Sequence, residues 1–490
     1  MDKRLGKHVV SVLGMLAILS SFGLLYFLMD RTVFVVCSSV GLTAAACCLV
    51  LAHVLDRLEA QSEMWLVGFF YVLTIVAAPV FVFALLGGVI APLSVVFLIA
   101  LTLVFFYYSY FLPIALIDVG TDPDSSASAP YPTVSVLVPA YNEEGSVGAT
   151  IDALQESEYP SEAREIVVID DGSTDRTYHE ANWHANEGTK VVQKENGGKH
   201  SAMNYGLLYA EGDIIVTVDA DSIVAPDALS KLVGAFQADA DLGAVAGNIK
   251  VDNRESLVRK LQTLEYIVGI LVFRRAFSAF GSVPVVPGAL GAYRREALSG
   301  VHFYDPDTLT EDFDASIKTL KQGWRIEAVD ALCYTEAPMT WQDLYNQRLR
   351  WYRGNFMTLL KHRDILFNTR FGHLQGVVVP MMLLNLTVIP IAGFVIFGSI
   401  ISQLLIGNTV EMLLMFAFFS LLQGLLSIIA LWMDDDRMRL AMYAPLFIVG
   451  YRQFLDTVVL KSVFDVLMNR DLHWTSAKRS AQRLRMRDHD

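Results

Sequence analysis

The sequence predicts an α/β domain inserted between α-helical transmembrane segments, with interfacial amphipathic helices joining the two. Three observations predict it. Long uncharged runs occupy both ends of the 490-residue chain, so 53% of residues are hydrophobic and only 18% are charged; an ordinary soluble domain is about 25% charged. Between those runs, short β-branched stretches alternate with helical ones, the pattern of a mostly parallel sheet. From Trp341 to Leu360, Trp, Tyr, Leu, Arg and Lys mix in helical order, the composition of an interfacial helix.

Residues 1–117 read as four N-terminal transmembrane helices, at 8–29, 32–54, 64–86 and 90–112. Each is near the ~20 residues a bilayer requires. The first run is too long for the core of a cleaved signal peptide and reads as a retained anchor. Lys3, Arg4 and Lys7 precede it, which places the N-terminus in the cytoplasm. Four crossings then make the polar block cytoplasmic. The net charge of −13 argues against a nucleic-acid partner. Cys37, Cys47, Cys48 and Cys333 show no metal-ligand spacing and read as packing residues.

Residues 118–132, rich in Asp, Ser, Ala and Pro, form a linker. The domain at 133–340 is long enough for its own core. Thr133–Pro139, Glu165–Asp170, Lys190–Gln193 and Asp213–Asp219 read as strands; Glu144–Glu156, Lys199–Ala210 and Pro226–Phe236 read as helices. Ligands of such sheets bind beyond the carboxyl ends of the strands, where the acidic and glycine motifs fall. Interfacial helices are expected at 341–373 and a membrane region at 374–470, with apolar runs at 376–405 and 411–432. The stretch 439–468 carries Arg452, Asp456, Lys461 and Asp465 and reads as a broken hairpin or an interfacial helix. The basic tail 471–490 is expected in the cytoplasm.

Six motifs carry the chemistry. Pro139–Glu143 ends the first strand; Tyr141 could stack on a base and Glu143 could bond to a base or ribose edge, although Asn142 as a helix cap explains the stretch equally. Asp170 and Asp171, followed by Gly172, suit hydrogen bonding to uracil and ribose, or a plain turn. Gly197-Gly198-Lys199 opens a helix, where bare backbone and a lysine favour an anion. Asp219-Ala220-Asp221 closes a buried strand and can chelate Mn²⁺ or Mg²⁺ through oxygen ligands. Thr310-Glu311-Asp312 opens a helix and offers a general base. In Gln347-Arg348-Leu349-Arg350-Trp351, positions 347, 350 and 351 share a helix face. There Arg offers a fork of donors to phosphate and Trp a flat ring to a sugar.

Taken in order, these motifs resemble the processive membrane glycosyltransferases of family 2, the group of poly-N-acetylglucosamine, hyaluronan, chitin and cellulose synthases. The resemblance covers about 133–360, and Val286–Leu290 with Tyr293–Arg295 resembles the acceptor-side loop of the amino-sugar branch. It implies a GT-A fold and inverting transfer. UDP-sugar binding would fall to Tyr141, Glu143, Asp170, Asp171, Lys199, Asp219, Gln347 and Arg350. Asp312 would be the catalytic base. Trp351, Glu311 and Gly288 would bind the acceptor, and Asp219 and Asp221 would hold the metal, with Asp221 as direct ligand. The implied partners are a UDP-sugar, a growing polysaccharide and the lipid bilayer of the plasma membrane, with the C-terminal spans forming a polymer channel. Four N-terminal spans exceed the two expected of the poly-N-acetylglucosamine synthases, which the motifs resemble most.

Three functions stay open on these residues: a processive synthase polymerising UDP-N-acetylglucosamine, or a hyaluronan-type enzyme also using UDP-glucuronate; transfer of one sugar to a polyprenyl phosphate; and a transporter or scaffold that only binds nucleotide.

Overall fold

The computed structural model describes Ala115 and residues 126–468 apart from 253 and 408. The four N-terminal spans, most of the linker, Cys37, Cys47, Cys48 and the basic tail lie outside the described residues. The described residues divide into two compact units: 126–266 and 277–363 form one, and 267–276 and 364–468 belong to the other.

The α/β unit begins with β1 (Val134–Ala140), α1 (Val147–Gln155), β2 (Arg164–Asp170), α2 (Thr177–His184) and β3 (Thr189–Gln193). It continues with α3 (Lys199–Gly206), β4 (Ile214–Thr217), β5 (Ser222–Val224), α4 (Ala228–Ala238), β6 (Leu242–Val251) and α5 (Leu257–Glu265). After β7 (Gly291–Arg294) come α6 (Glu311–Lys321), β8 (Arg325–Thr335) and α7 (Trp341–Lys361). The eight strands lie in the order β3-β2-β1-β4-β7-β6-β8-β5. β3, β2, β1 and β4 run parallel, and β7 pairs antiparallel with both β4 and β6.

The parallel half follows from its composition. Strands covered on both faces must be apolar throughout, and Val136, Leu137, Val138, Val167, Val168, Ile169 and Ile215 are all fully buried. The antiparallel β7 and the long β6 and β8 were not among the predicted strands. The β6–β8 register shifts between Leu242 and Ala244 and between Ala246 and Asn248, and these strands pair across a wide sequence separation. Cys333 is buried in β8, in keeping with a packing role.

The predicted helix at 144 begins three residues later. Asn142 (φ 56°) and Gly145 (φ 94°) take left-handed conformations that a helix cannot continue through. Asn142 is not a helix cap: its Oδ1 accepts the amide of Thr174 at 2.8 Å, and its own amide donates to Ser173 Oγ at 2.9 Å. The Glu143, Glu144 and Gly145 amides donate to Thr177 Oγ1, Asp175 Oδ2 and Glu180 Oε2. Together these bonds pin the loop after β1 to the turn after β2.

The second unit holds α8 (Val379–Leu386), α9 (Val388–Ile406), α10 (Thr409–Met433) and α11 (Arg452–Leu467). The predicted run 376–405 is therefore interrupted, at Thr387. Among the described residues one helix, Val388–Ile406, is long and apolar enough to cross a membrane. The stretch 439–468 breaks at Val449 and Gly450 (φ 102°) and ends in the single helix α11. The four charges of α11 form two pairs, each one turn apart. Arg452 Nε lies 3.0 Å from Asp456 Oδ1, and Lys461 pairs with Asp465.

Candidate active site

The carboxyl ends of β1 and β2 are in register, Ala140 beside Asp170. Asp170 is fully buried; its Oδ1 accepts the Ser173 amide at 3.2 Å and its Oδ2 accepts Gln193 Nε2 at 2.6 Å. These bonds hold the turn, so both Asp170 oxygens are engaged within the scaffold. Gly172 completes the turn at φ 73°, where an added Cβ would meet the Asn196 amide nitrogen at 2.7 Å. Asp171, only 2% exposed, accepts Gly198 N at 2.8 Å, Gly197 N at 3.1 Å and Lys194 Nζ at 2.8 Å. The amides expected to cradle an anion are thus held by Asp171, which fixes the entry into α3. Tyr141 and Glu143 are half-buried in the neighbouring loop, where Glu143 accepts Ser146 Oγ at 3.1 Å.

Lys199, the first residue of α3, joins the glycine motif to the Asp219 and Glu311 motifs. Its Nζ lies 2.6 Å from Asp219 Oδ1 and 3.5 Å from Glu311 Oε1. Burial favours its neutral form, but Asp219, Glu311 and Asp312 together hold its pKa above the usual lysine range. Gly288 lies directly against this ammonium: an added Cβ would sit 2.4 Å from Nζ. The Gly288 amide faces Asp312 Oδ2 at 3.4 Å, and the Phe313 amide donates to Asp312 Oδ1 at 2.8 Å. Burial and the adjacent Glu311 carboxylate raise the Asp312 pKa to about 6, against the pull of Lys199. Ser316 Oγ donates to the Asp312 carbonyl at 2.6 Å and accepts the Val286 amide at 2.9 Å, tying the Gly288 loop to α6. Lys199, Asp219, Gly288, Glu311 and Asp312, distant in sequence, thus meet at one point. A carboxylate with a raised pKa beside a cation is equipped to take a proton next to developing negative charge.

Asp221 is 4% exposed and its charge bears on the hydroxyl of Tyr266, whose pKa burial raises. The Tyr266 and Trp351 rings lie 6.4 Å apart. Gln347, Arg350 and Trp351 are all half-buried on α7. The residue that sequence reasoning passed over is Arg348, 0% exposed, whose Nε and Nη2 each lie 2.9 Å from a Glu265 oxygen. Its position in the motif was visible; nothing in the sequence marked Glu265 as the partner.

Two carboxylates flanking Ala220 are a hard oxygen donor set that would suit Mn²⁺ or Mg²⁺, with Asp219 shared between such an ion and Lys199. A second acidic group, Asp305, Asp307 and Asp314, is different. Lys361 Nζ already occupies it, 2.7, 2.8 and 3.0 Å from the three carboxylates, and His362 Nε2 lies 2.8 Å from Asp314. That group is an ion-pair network joining α7 to α6.

Residues 135–301 match the family described as "Glycosyl transferase family 2". The chain is 33% identical over 232 residues to the poly-beta-1,6-N-acetyl-D-glucosamine synthase of Staphylococcus aureus (strain MSSA476), covering 46% of this chain and 56% of that protein. The Staphylococcus epidermidis protein of the same name is also 33% identical, over 231 residues, with the same shares of each chain. The chain therefore spans about half the length of the curated relatives it matches. A mannosyltransferase from Pyrobaculum calidifontis, solved with GDP-Man and Mn²⁺, covers 77% of this chain and all of its own at a TM-score of 0.54 and 22% identity. That likeness is one of fold, a GT-A-like α/β fold with a curled mixed sheet.

Proposed function

Because the chain carries a family 2 glycosyltransferase domain at 135–301, we propose that it is an inverting UDP-sugar glycosyltransferase polymerising N-acetylglucosamine. The observation that carries the reading is the meeting of Lys199, Asp219, Glu311 and Asp312 at Gly288. The similarity to poly-beta-1,6-N-acetyl-D-glucosamine synthases supports the choice of sugar.

In this reading Asp312 accepts the proton of an acceptor hydroxyl. The hydroxyl oxygen forms a bond to the anomeric carbon from the face opposite the diphosphate, and the bond from that carbon to the diphosphate oxygen breaks. UDP leaves with the bonding pair. One base and no covalent intermediate suffice. Lys199 and Arg350 offset the charge of the departing diphosphate, and Gln347 donates a hydrogen bond to it. Tyr141, Glu143 and Asp171 shape the nucleoside end, Asp171 through its hold on Gly197 and Gly198. Glu311 and Gly288 border the acceptor hydroxyl, and Trp351 offers its ring to the acceptor sugar. Asp219 and Asp221 would hold Mn²⁺ or Mg²⁺, which when bound supplies further positive charge to the diphosphate.

Processivity, a cytoplasmic catalytic domain, multiple membrane spans and extrusion of the polymer complete the proposal. The apolar helix Val388–Ile406 and the uncharged runs at both ends support the membrane part.

The test is label incorporation by membranes carrying the chain. UDP-N-acetylglucosamine, UDP-glucose and UDP-glucuronate are supplied singly and in pairs with Mn²⁺ or Mg²⁺. Long product from UDP-N-acetylglucosamine alone, lost in Asp312→Asn, is expected. Product only from a sugar pair would replace the homopolymer with a hyaluronan-type chain. A single sugar on a chloroform-soluble lipid would remove processivity.

A further inference from the structure

Arg348 lies one residue from Gln347 and one helical turn from Trp351, and both side chains are within its reach on α7. It is 0% exposed, and every guanidinium nitrogen has a partner. Nε and Nη2 donate to the two oxygens of Glu265 at 2.9 Å each, and Nη1 donates to Gln347 Oε1. The guanidinium lies 4.2 Å from the centre of the Trp351 ring and 5.6 Å from that of Tyr266.

A buried ion pair is an inefficient way to hold two helices together, because an apolar pair of the same volume does so equally well. The pair adds direction. Two parallel bonds to Glu265 fix the plane of the guanidinium, and a planar cation beside an aromatic ring fixes the ring in turn. The bond to Gln347 Oε1 turns that amide so that its NH₂ group points away from Arg348. A neutral amide would otherwise present either end to a ligand.

We infer that Arg348 and Glu265 form a positioning pair that sets the Trp351 ring as the acceptor platform and presents Gln347 as a hydrogen-bond donor. This rests on the proposed role of Trp351 with the acceptor sugar. Arg348 covers one face of the ring, so the sugar stacks on the other. Neither Arg348 nor Glu265 touches substrate.

The experiment uses the full chain in membranes and two variants. In the double variant Glu265→Leu/Arg348→Met both charges leave together with volume retained. In Arg348→Lys the charge stays and the planar fork is lost. KM for a short N-acetylglucosamine oligomer, KM for UDP-N-acetylglucosamine, product length and Tm are measured. The expected result for both variants is an acceptor KM raised roughly fivefold to tenfold and shorter product. KM for the UDP-sugar should rise by a smaller factor, through the Gln347 amide that Arg348 no longer orients, and the double variant should keep its Tm. An unchanged acceptor KM and product length in the double variant would overturn the positioning role. So would equal rises in both KM values with a falling Tm, the signature of a merely structural pair. Wild-type membranes run in parallel test the reading beneath it: no polymer from them removes the functional proposal, and the acceptor platform with it.

Discussion

Gly354 lies against Thr310 so closely that a Cβ at 354 would sit 2.6 Å from both Thr310 Oγ1 and Cγ2 and 2.9 Å from the Thr310 backbone nitrogen. Thr310 immediately precedes Glu311 and Asp312, so α7 crosses α6 at the turn that presents the base. Gly354→Ala would favour the helix by about 1 kcal/mol, but the overpacking against backbone costs about 1–3 kcal/mol. The expected outcome is a small loss of Tm and a disproportionate fall in turnover as Asp312 shifts. A variant with wild-type turnover would show that α7 does not fix the base.

Asp312→Asn should remove about 10²- to 10⁴-fold of the activity. It should also stabilise the fold. The folded pKa of Asp312, about 6, lies above its ordinary 3.8, so the folded chain holds this proton more tightly than the unfolded one. The group's contribution to stability therefore falls as pH rises through this window. Thermal melts at pH 7.5 should place the Asn variant above wild type, with the gap narrowing as pH drops below 6. The pH profile of kcat/KM in wild type should lose activity below about 6, where the base is protonated.

Asp314 sits at the other extreme. Burial would raise its pKa, but hydrogen bonds from His362 and Lys361 hold it below the usual range. Its stabilisation is present above the ordinary value of 3.8 and lost as pH falls through the lowered folded value. Asp314→Ala leaves Lys361 and His362 facing a void and should cost about 3–5 kcal/mol. Chemical denaturation at pH 7 checks this, and a midpoint equal to wild type would refute it.

Chelation separates the two acidic groups. EDTA should abolish transfer and Mn²⁺ or Mg²⁺ restore it, with Asp221→Asn raising the metal concentration required. Asp307→Ala should leave that requirement unchanged, because Lys361 already supplies the positive charge there. A shifted metal requirement in Asp307→Ala would move the cation to the Asp305–Asp314 group.

Lys199→Met should raise KM for the UDP-sugar about tenfold to a hundredfold, the worth of a charged hydrogen bond. The mutation also leaves Asp219 without the ammonium now 2.6 Å away. Titration with UDP alone, followed calorimetrically, checks that the loss lies in binding; unaltered UDP affinity would take Lys199 out of the nucleotide site.

The parallel half of the sheet and the positions of the motifs were legible in the sequence, for a physical reason. Strands buried on both faces need unbroken apolar runs, and acidic residues directly after such runs stand at the ligand-bearing edge. The start of α1 was misread because Asn142 and the acids after it have the composition of a cap. Their actual partners, Ser173, Thr174, Thr177 and Glu180, belong to another loop.

By itself the sequence determined the α/β class of the central domain, the order of the motifs and the chemical types available at each. Tertiary structure decided what each side chain is spent on. Asp170 and Asp171, alike in sequence with Asp219, bond to their own turn and glycine loop. Asp219 meets Lys199, and Arg348 finds Glu265 across 83 residues. Local composition records propensity and burial, whereas hydrogen bonds between distant segments depend on how strands and helices are brought together. Long-range pairing of that kind leaves no periodic trace in the chain.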